Sequence, residues 1–142
     1  MIPWAQTNRE ERPSVLGRST LHILSMKERT ISLLRAEAAA ERILDAFERL
    51  LWWLFAGSAG ARTRAIVLSA VREEPRNAQQ LSEALKLDYT TVRHHLKVME
   101  QNRLVVTEGN SYGKLYFVSD SMEAHWQALQ SILERARSRR AN

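Results

Sequence analysis

One stretch of the sequence, residues 77–101, constrains the fold more than any other, because it has the pattern of two short helices with a tight break between them. In the first helix, Ala78, Leu81 and Leu85 recur at spacings of three and four, so they share one face. Asn77 precedes this helix and is a residue type that caps free backbone N–H groups well.

The second helix of this stretch is expected to begin after the break Lys86-Leu87-Asp88, with Asp88 as its N-cap. Val92, Leu96 and Met99 then form its buried stripe. Two helices in this arrangement are typical of a helix-turn-helix unit, whose second helix enters the major groove of DNA. The sequence therefore predicts a recognition helix at residues 88–101.

The outward face of the predicted recognition helix carries hydroxyls, an aromatic ring, an imidazole and two cations, with no acid before Glu100. Side chains of these types can hydrogen-bond base edges and phosphates. The predicted DNA contacts on this helix are Tyr89, Thr90, Thr91, Arg93, His94 and Lys97. His95 lies beside the apolar stripe, and we expect it to pack inside the domain.

Composition supports this interpretation weakly. The chain has 142 residues, enough for one domain with an extension or for two very small ones, and a formal charge of +5 that favours a polyanionic partner. The absence of cysteine excludes disulfides and thiolate metal sites. The longest strongly apolar run, residues 50–56, is too short to cross a bilayer, and the first residues lack a signal pattern, so a cytoplasmic protein is expected.

No motif of a common enzyme class is found. The sequence contains no glycine-rich phosphate loop after a strand, no cysteine nucleophile and no HExxH, and its carboxylates fall mainly on solvated helix faces or at caps. We therefore expect neither catalysis nor a cofactor.

The rest of the chain is predicted to be mainly α-helical with one small β-hairpin. The expected segments are a mobile or irregular arm at 1–24, a long helix at 25–56 that opens with a capping box at Ser25, a linker at 57–60, a winged helix-turn-helix domain at 61–119, and a C-terminal helix with a basic tail at 120–142. Residues 19–24 are apolar enough to dock as either strand or helix.

Two apolar seams flank the winged domain, and they are predicted to form a dimer interface. The residues concerned are Leu33, Ala40, Ile43, Phe47, Leu50 and Leu54 in the long helix, with Trp126, Leu129 and Leu133 in the C-terminal helix. The pattern leaves open which seam forms the dimer. It also leaves open an ordinary core helix, and a membrane-surface role for Trp52 and Trp53.

Within the winged domain, residues 61–73 form a predicted first helix with Ile66 and Val67 inside and Arg62, Arg64 and Arg72 outside. Residues 104–107 and 115–118 are rich in β-branched and aromatic types and predict a hairpin whose tip, 108–114, is the wing. Further predicted contacts with the DNA backbone or minor groove are Arg64, Tyr112 and Lys114. Asp120 is predicted to cap the last helix, which reaches about Arg137.

Residues 50–120 resemble archaeal winged-helix transcription regulators of the ArsR type, most specifically in the run Thr91-Val92-Arg93-His94-His95-Leu96. The resemblance implies a homodimer that binds operator DNA and represses transcription. Many such proteins sense metals through cysteines or through Asp/His pairs. This chain departs from that pattern, since it has no cysteine and its adjacent His94 and His95 point about 100° apart on a helix, so no metal is expected.

A different class of function, a winged domain that contacts proteins without sequence-specific DNA binding, fits the apolar, tryptophan-rich segment 50–55. The two classes differ in salt dependence, because phosphate contacts weaken steeply as salt rises.

Overall fold

The structure, a computed structural model, describes residues 15–111 and 113–142, with side chains from Thr20 onwards. The predictions for residues 1–14 and for Tyr112 lie outside the described residues. The elements are α1 Val15–Trp52, a π-helical turn Trp53–Gly57, α2 Ala61–Glu73, α3 Ala78–Leu85, α4 Tyr89–Gln101, β1 Val105–Glu108, β2 Leu115–Val118, α5 Asp120–Ala124 and α6 Trp126–Ala141. The predicted fold class, mainly α with a small hairpin in a winged-helix order, is confirmed.

The chain divides into two compact units, residues 1–44 and 45–142. In the first unit the described residues form the N-terminal part of α1, which begins at Val15 and not at Ser25. The pattern at Ser25 does not start a helix, because the ten residues before it are also helical. Large apolar side chains on this part of α1 are exposed, including Leu33 at 65 % and Ile43 at 69 %.

The second unit has one hydrophobic core, to which the end of α1, the π-helical turn, α2 to α4, the hairpin and the C-terminal helices all contribute. Leu54 of the π-helical turn and Leu129 of α6 are fully buried in this core. They are thus unavailable to a partner subunit, and their assignment to a dimer interface was wrong. Phe47, Leu50, Trp126 and Leu133 pack partly buried against the same core.

Side-chain caps fix the ends of α3 and α4. The Asn77 side chain accepts a hydrogen bond from the Gln80 backbone N–H at 2.8 Å, and the Gln80 side chain accepts one from the Asn77 N–H at 3.0 Å. Asp88 accepts from the Thr91 N–H at 3.1 Å. Lys86, between the two helices, has φ 54°, the left-handed conformation that allows the tight turn. These bonds confirm the predicted caps and set the direction of α4.

The hairpin pairs β1 with β2 in antiparallel register, Val105 opposite Val118, and Arg76 adds a single bridge to Tyr116. The helical segment after the hairpin is capped by Ser119, whose hydroxyl accepts from the Met122 N–H at 3.1 Å. The predicted cap, Asp120, is instead in the first turn. A break at His125 separates α5 from α6, which extends to Ala141.

Candidate nucleic-acid interface

The position of α4 follows from its buried stripe. Val92, Leu96 and Met99 are fully buried in the core, so the opposite face of the helix points to solvent. Every residue of α4 that the sequence predicts to contact DNA is exposed: Tyr89, Thr90, Thr91, Arg93, His94 and Lys97. The structure therefore brings these six side chains together on one accessible helix face.

Arg93 and Lys97 are the two cations of this face. The Arg93 guanidinium lies 5.8 Å from the centre of the Tyr89 ring, a distance at which a cation and an aromatic face attract each other. Among the ion pairs of the described residues, none includes Arg93 or Lys97. The hydrogen-bond donors of both side chains are thus available to a ligand.

A groove of about 540 Å³ separates α4 from the wing. Its lining residues are Tyr89, Thr90, Arg93, His94, Lys97, Glu100, Lys114 and Tyr116. Lys114 lies on the wing side, as predicted, but its Nζ is 3.2 Å from Glu100 Oε1 and 3.3 Å from Oε2. A phenol is neutral near pH 7, and burial raises the pKa of Tyr116 further above that range. The groove combines three cations with a single carboxylate.

Arg64 is the predicted site residue that the structure places elsewhere. Its side chain is only 4 % exposed. Nε donates to the Leu54 carbonyl at 2.9 Å, and Nη2 donates to the Ala59 carbonyl at 2.9 Å and to the Ser58 hydroxyl. These acceptors belong to the π-helical turn and the loop before α2. The prediction that Arg64 contacts phosphate was wrong, because its donors are used inside the protein.

Burial of Arg64 follows from its place on α2. It is three residues after Ala61 and three before Val67, both buried, so it falls on the inward stripe of the helix. Ile66, which was predicted to be buried, is instead 46 % exposed. Burial lowers the pKa of Arg64 from its ordinary value of 12.5, yet its guanidinium remains charged inside the protein.

His95 connects α4 to this buried arginine, since its Nδ1 is 3.5 Å from Arg64 Nη1. The His95 side chain is buried, as the sequence predicts. Burial, followed by the charges of Arg64 and His94, lowers its pKa below 6.5, so the ring is neutral near pH 7. The loop before α2 also lies close to the His95 ring. A Cβ on Gly60, which has φ 77°, would lie 2.6 Å from His95 Cε1.

In the part of the chain that the structure describes, no group of three or more His, Cys, Asp or Glu side chains is arranged to hold a metal ion. No helix of residues 15–111 and 113–142 is long and apolar enough to span a membrane.

The structure resembles solved winged-helix proteins at low sequence identity. Reduced HlyU from Vibrio cholerae is 17 % identical with a TM-score of 0.50, over 65 % of this chain and 95 % of HlyU. AbfR of Staphylococcus epidermidis is 18 % identical with a TM-score of 0.49, over 78 % of this chain and 79 % of AbfR. At 17 % identity the likeness to HlyU concerns the fold alone.

A comparison with curated protein sequences finds no match. The archaeal part of the predicted resemblance stays a prediction. Residues 62–107, which run from α2 into β1, match the family model described as bacterial regulatory protein, arsR family, and this match covers the predicted helix-turn-helix.

Proposed function

We propose that this protein is a sequence-specific, double-stranded DNA-binding transcriptional regulator that acts as a homodimeric repressor. The observation that carries the proposal is the exposed face of α4. It presents two cations that have no ion-pair partner among the described residues, beside hydroxyl, imidazole and phenol groups. A helix of this kind fits the major groove, where such groups read base edges and contact phosphates. The family match at residues 62–107 supports the same function.

The proposed contacts differ in what they recognise. Arg93 has the planar fork that matches guanine O6 and N7, and it contributes to sequence preference. Lys97 is a point charge that contacts phosphate whatever the base. His94 can donate or accept a hydrogen bond, and Thr90 and Thr91 offer hydroxyls. The wing, residues 108–114, contacts the backbone or the minor groove.

The homodimer rests on the exposed apolar residues of α1 within the first unit. Leu33 and Ile43 are each more than half exposed, and together with Ala40 they follow the spacing of a coiled-coil seam. A second copy of the same helix supplies a matching surface through two-fold symmetry. Two recognition helices related in this way favour a palindromic operator with half-sites about 34 Å apart.

The alternative, a protein-interaction domain, keeps one supporting observation. Trp53 is 57 % exposed, but Leu51, Leu54 and Phe55 of the same apolar segment are buried in the domain's own core. Half of the segment that was expected to hold another protein is thus internal.

The test is selection of bound duplexes from a random DNA library, followed by fluorescence-anisotropy titrations of the selected sequence and of an unrelated duplex. We expect a two-fold motif, a preference for it that Arg93→Ala reduces, and a steep loss of affinity as salt rises. Arg62→Ala is the matched control, because Arg62 is exposed on α2 and does not line the groove. If no duplex binds even at low salt, the alternative is favoured.

A further inference from the structure

The groove between α4 and the wing contains an acid among its cations. Among the described residues that line it, Glu100 carries the single carboxylate, beside Arg93, Lys97 and Lys114. A surface that binds a polyanion gains nothing from a negative charge in its lining. The contacts of Glu100 therefore need an explanation.

Glu100 joins the recognition helix to β1 and to Lys114, the last residue of the wing. Its carboxylate accepts hydrogen bonds from Lys114 Nζ at 3.2 and 3.3 Å and from Thr107 Oγ1 at 3.3 Å. The side chains of Lys114 and Glu100 are 33 % and 37 % exposed, so the pair lies at the groove surface and is accessible to DNA. The Lys114 ammonium also lies 5.4 Å from the centre of the Tyr116 ring.

Because of this pair, the three cations of the groove differ in whether a carboxylate already compensates their charge. Arg93 and Lys97 have no ion-pair partner among the described residues, whereas the charge of Lys114 is compensated by Glu100. A phosphate that approaches Lys114 must compete with a carboxylate already in place. A lysine whose charge is compensated within the protein neutralises no DNA phosphate, so it releases no cation condensed on the DNA and adds little to the entropy of binding.

We propose that Glu100 restrains the wing lysine and thereby limits the sequence-independent part of DNA affinity. This inference rests on the proposed function and adds to it a residue that opposes binding. Glu100 sets how strongly the protein holds DNA of any sequence, while the face of α4 around Arg93 sets which sequence it prefers.

The test is Glu100→Gln, measured by anisotropy from low to high salt on the selected duplex and on an unrelated one. The amide keeps the shape and an acceptor oxygen but removes the charge. If the released Lys114 neutralises one phosphate, the slope of log K against log salt becomes more negative by about 0.9. This corresponds to roughly eightfold tighter binding at 0.1 M salt relative to a 1 M reference. We expect this change on both duplexes.

Two further variants separate the release of Lys114 from a general change of charge. In a Lys114→Gln background, Glu100→Gln should leave the slope nearly unchanged, because no lysine remains to be released. Glu83→Gln makes the same charge change on α3, outside the groove, where Glu83 accepts a hydrogen bond from Gln79, and it should not alter the slope. Circular dichroism of each variant confirms that it folds.

The outcomes distinguish the two proposals. If wild-type protein binds no duplex at any salt, the proposed function fails. If wild-type protein binds DNA but Glu100→Gln has the wild-type slope, or changes it equally in the Lys114→Gln background, the role of Glu100 is overturned while the proposed function stands.

Discussion

Replacing Arg64 by methionine tests the assignment of this residue to the protein interior. The change removes two hydrogen bonds of 2.9 Å, to the carbonyls of Leu54 and Ala59, together with the bond to the Ser58 hydroxyl. Hydrogen bonds from a charged group contribute about 1.5–3 kcal/mol each, and the methionine side chain regains about 1–2 kcal/mol through apolar burial. Three such bonds less this gain leave an expected loss of stability of about 2.5–8 kcal/mol.

The assay is urea unfolding followed by circular dichroism, with the free energy of unfolding obtained by linear extrapolation at an unchanged m-value. Arg62→Met is the matched control. It makes the same chemical change two residues earlier in α2, at an exposed position, and should alter stability by no more than about 0.5 kcal/mol.

Equal stabilities of the Arg64→Met and Arg62→Met proteins would refute this reasoning. A different result would support the prediction from the sequence that Arg64 contacts phosphate. That result is a wild-type free energy of unfolding in Arg64→Met combined with a salt slope of DNA binding that is weaker by about 0.9.

Three other predictions concern stability, assembly and recognition. Burial and the charges of Arg64 and His94 lower the pKa of His95, so the unfolded chain takes up a proton on this ring more readily than the folded protein does. The stability contributed by the neutral ring is fully present above about pH 6.5 and declines as the pH falls toward the folded-state pKa. Urea unfolding of His95→Gln at several pH values should lack this pH-dependent contribution. Changing the exposed residues Leu33 and Ile43 together to aspartate should convert the dimer to a monomer in sedimentation velocity, while the thermal unfolding of the second unit, residues 45–142, is little changed. A double variant that remains dimeric would exclude this seam. Arg93→Ala should cost about 1–3 kcal/mol on the selected duplex and blur its sequence preference, whereas Lys97→Ala should weaken all duplexes alike; identical effects of the two variants would contradict the division of roles.

Local signals predicted the winged domain well. The first helix was placed at 61–73, as observed, and the caps Asn77 and Asp88 were identified because capping depends on residues at most three positions apart. The exposed face of α4 was likewise predictable, since its three-and-four spacing separates apolar from polar positions.

At Arg64, residue type and helical spacing predict different environments. Its spacing from Ala61 and Val67 placed it on the buried stripe, but arginine is so often exposed that it was assigned to the surface. The signal was present in the sequence. What the sequence lacked was the set of acceptors, which come from a π-helical turn that brings the Leu54 carbonyl within reach.

Contacts between distant segments were not predictable from one sequence. Glu100 was noted only as the first acid on α4, and its pairing with Lys114, fourteen residues away, depends on the register of the hairpin. The burial of Leu54 and Leu129 depends on how the end of α1 and α6 pack on the core, and a heptad pattern looks the same whether the partner is internal or another subunit.

The single bridge between Arg76 and Tyr116 has a consequence for how the wing can vary. It ties β2 to the segment before α3, so β2 is held on both edges by backbone hydrogen bonds. The tip beyond Glu108 begins at Gly109, with φ 101°, and its described residues lie outside the pairs of the ladder. Insertions or grafted loops at the tip can therefore change its reach while the helix pair keeps its geometry.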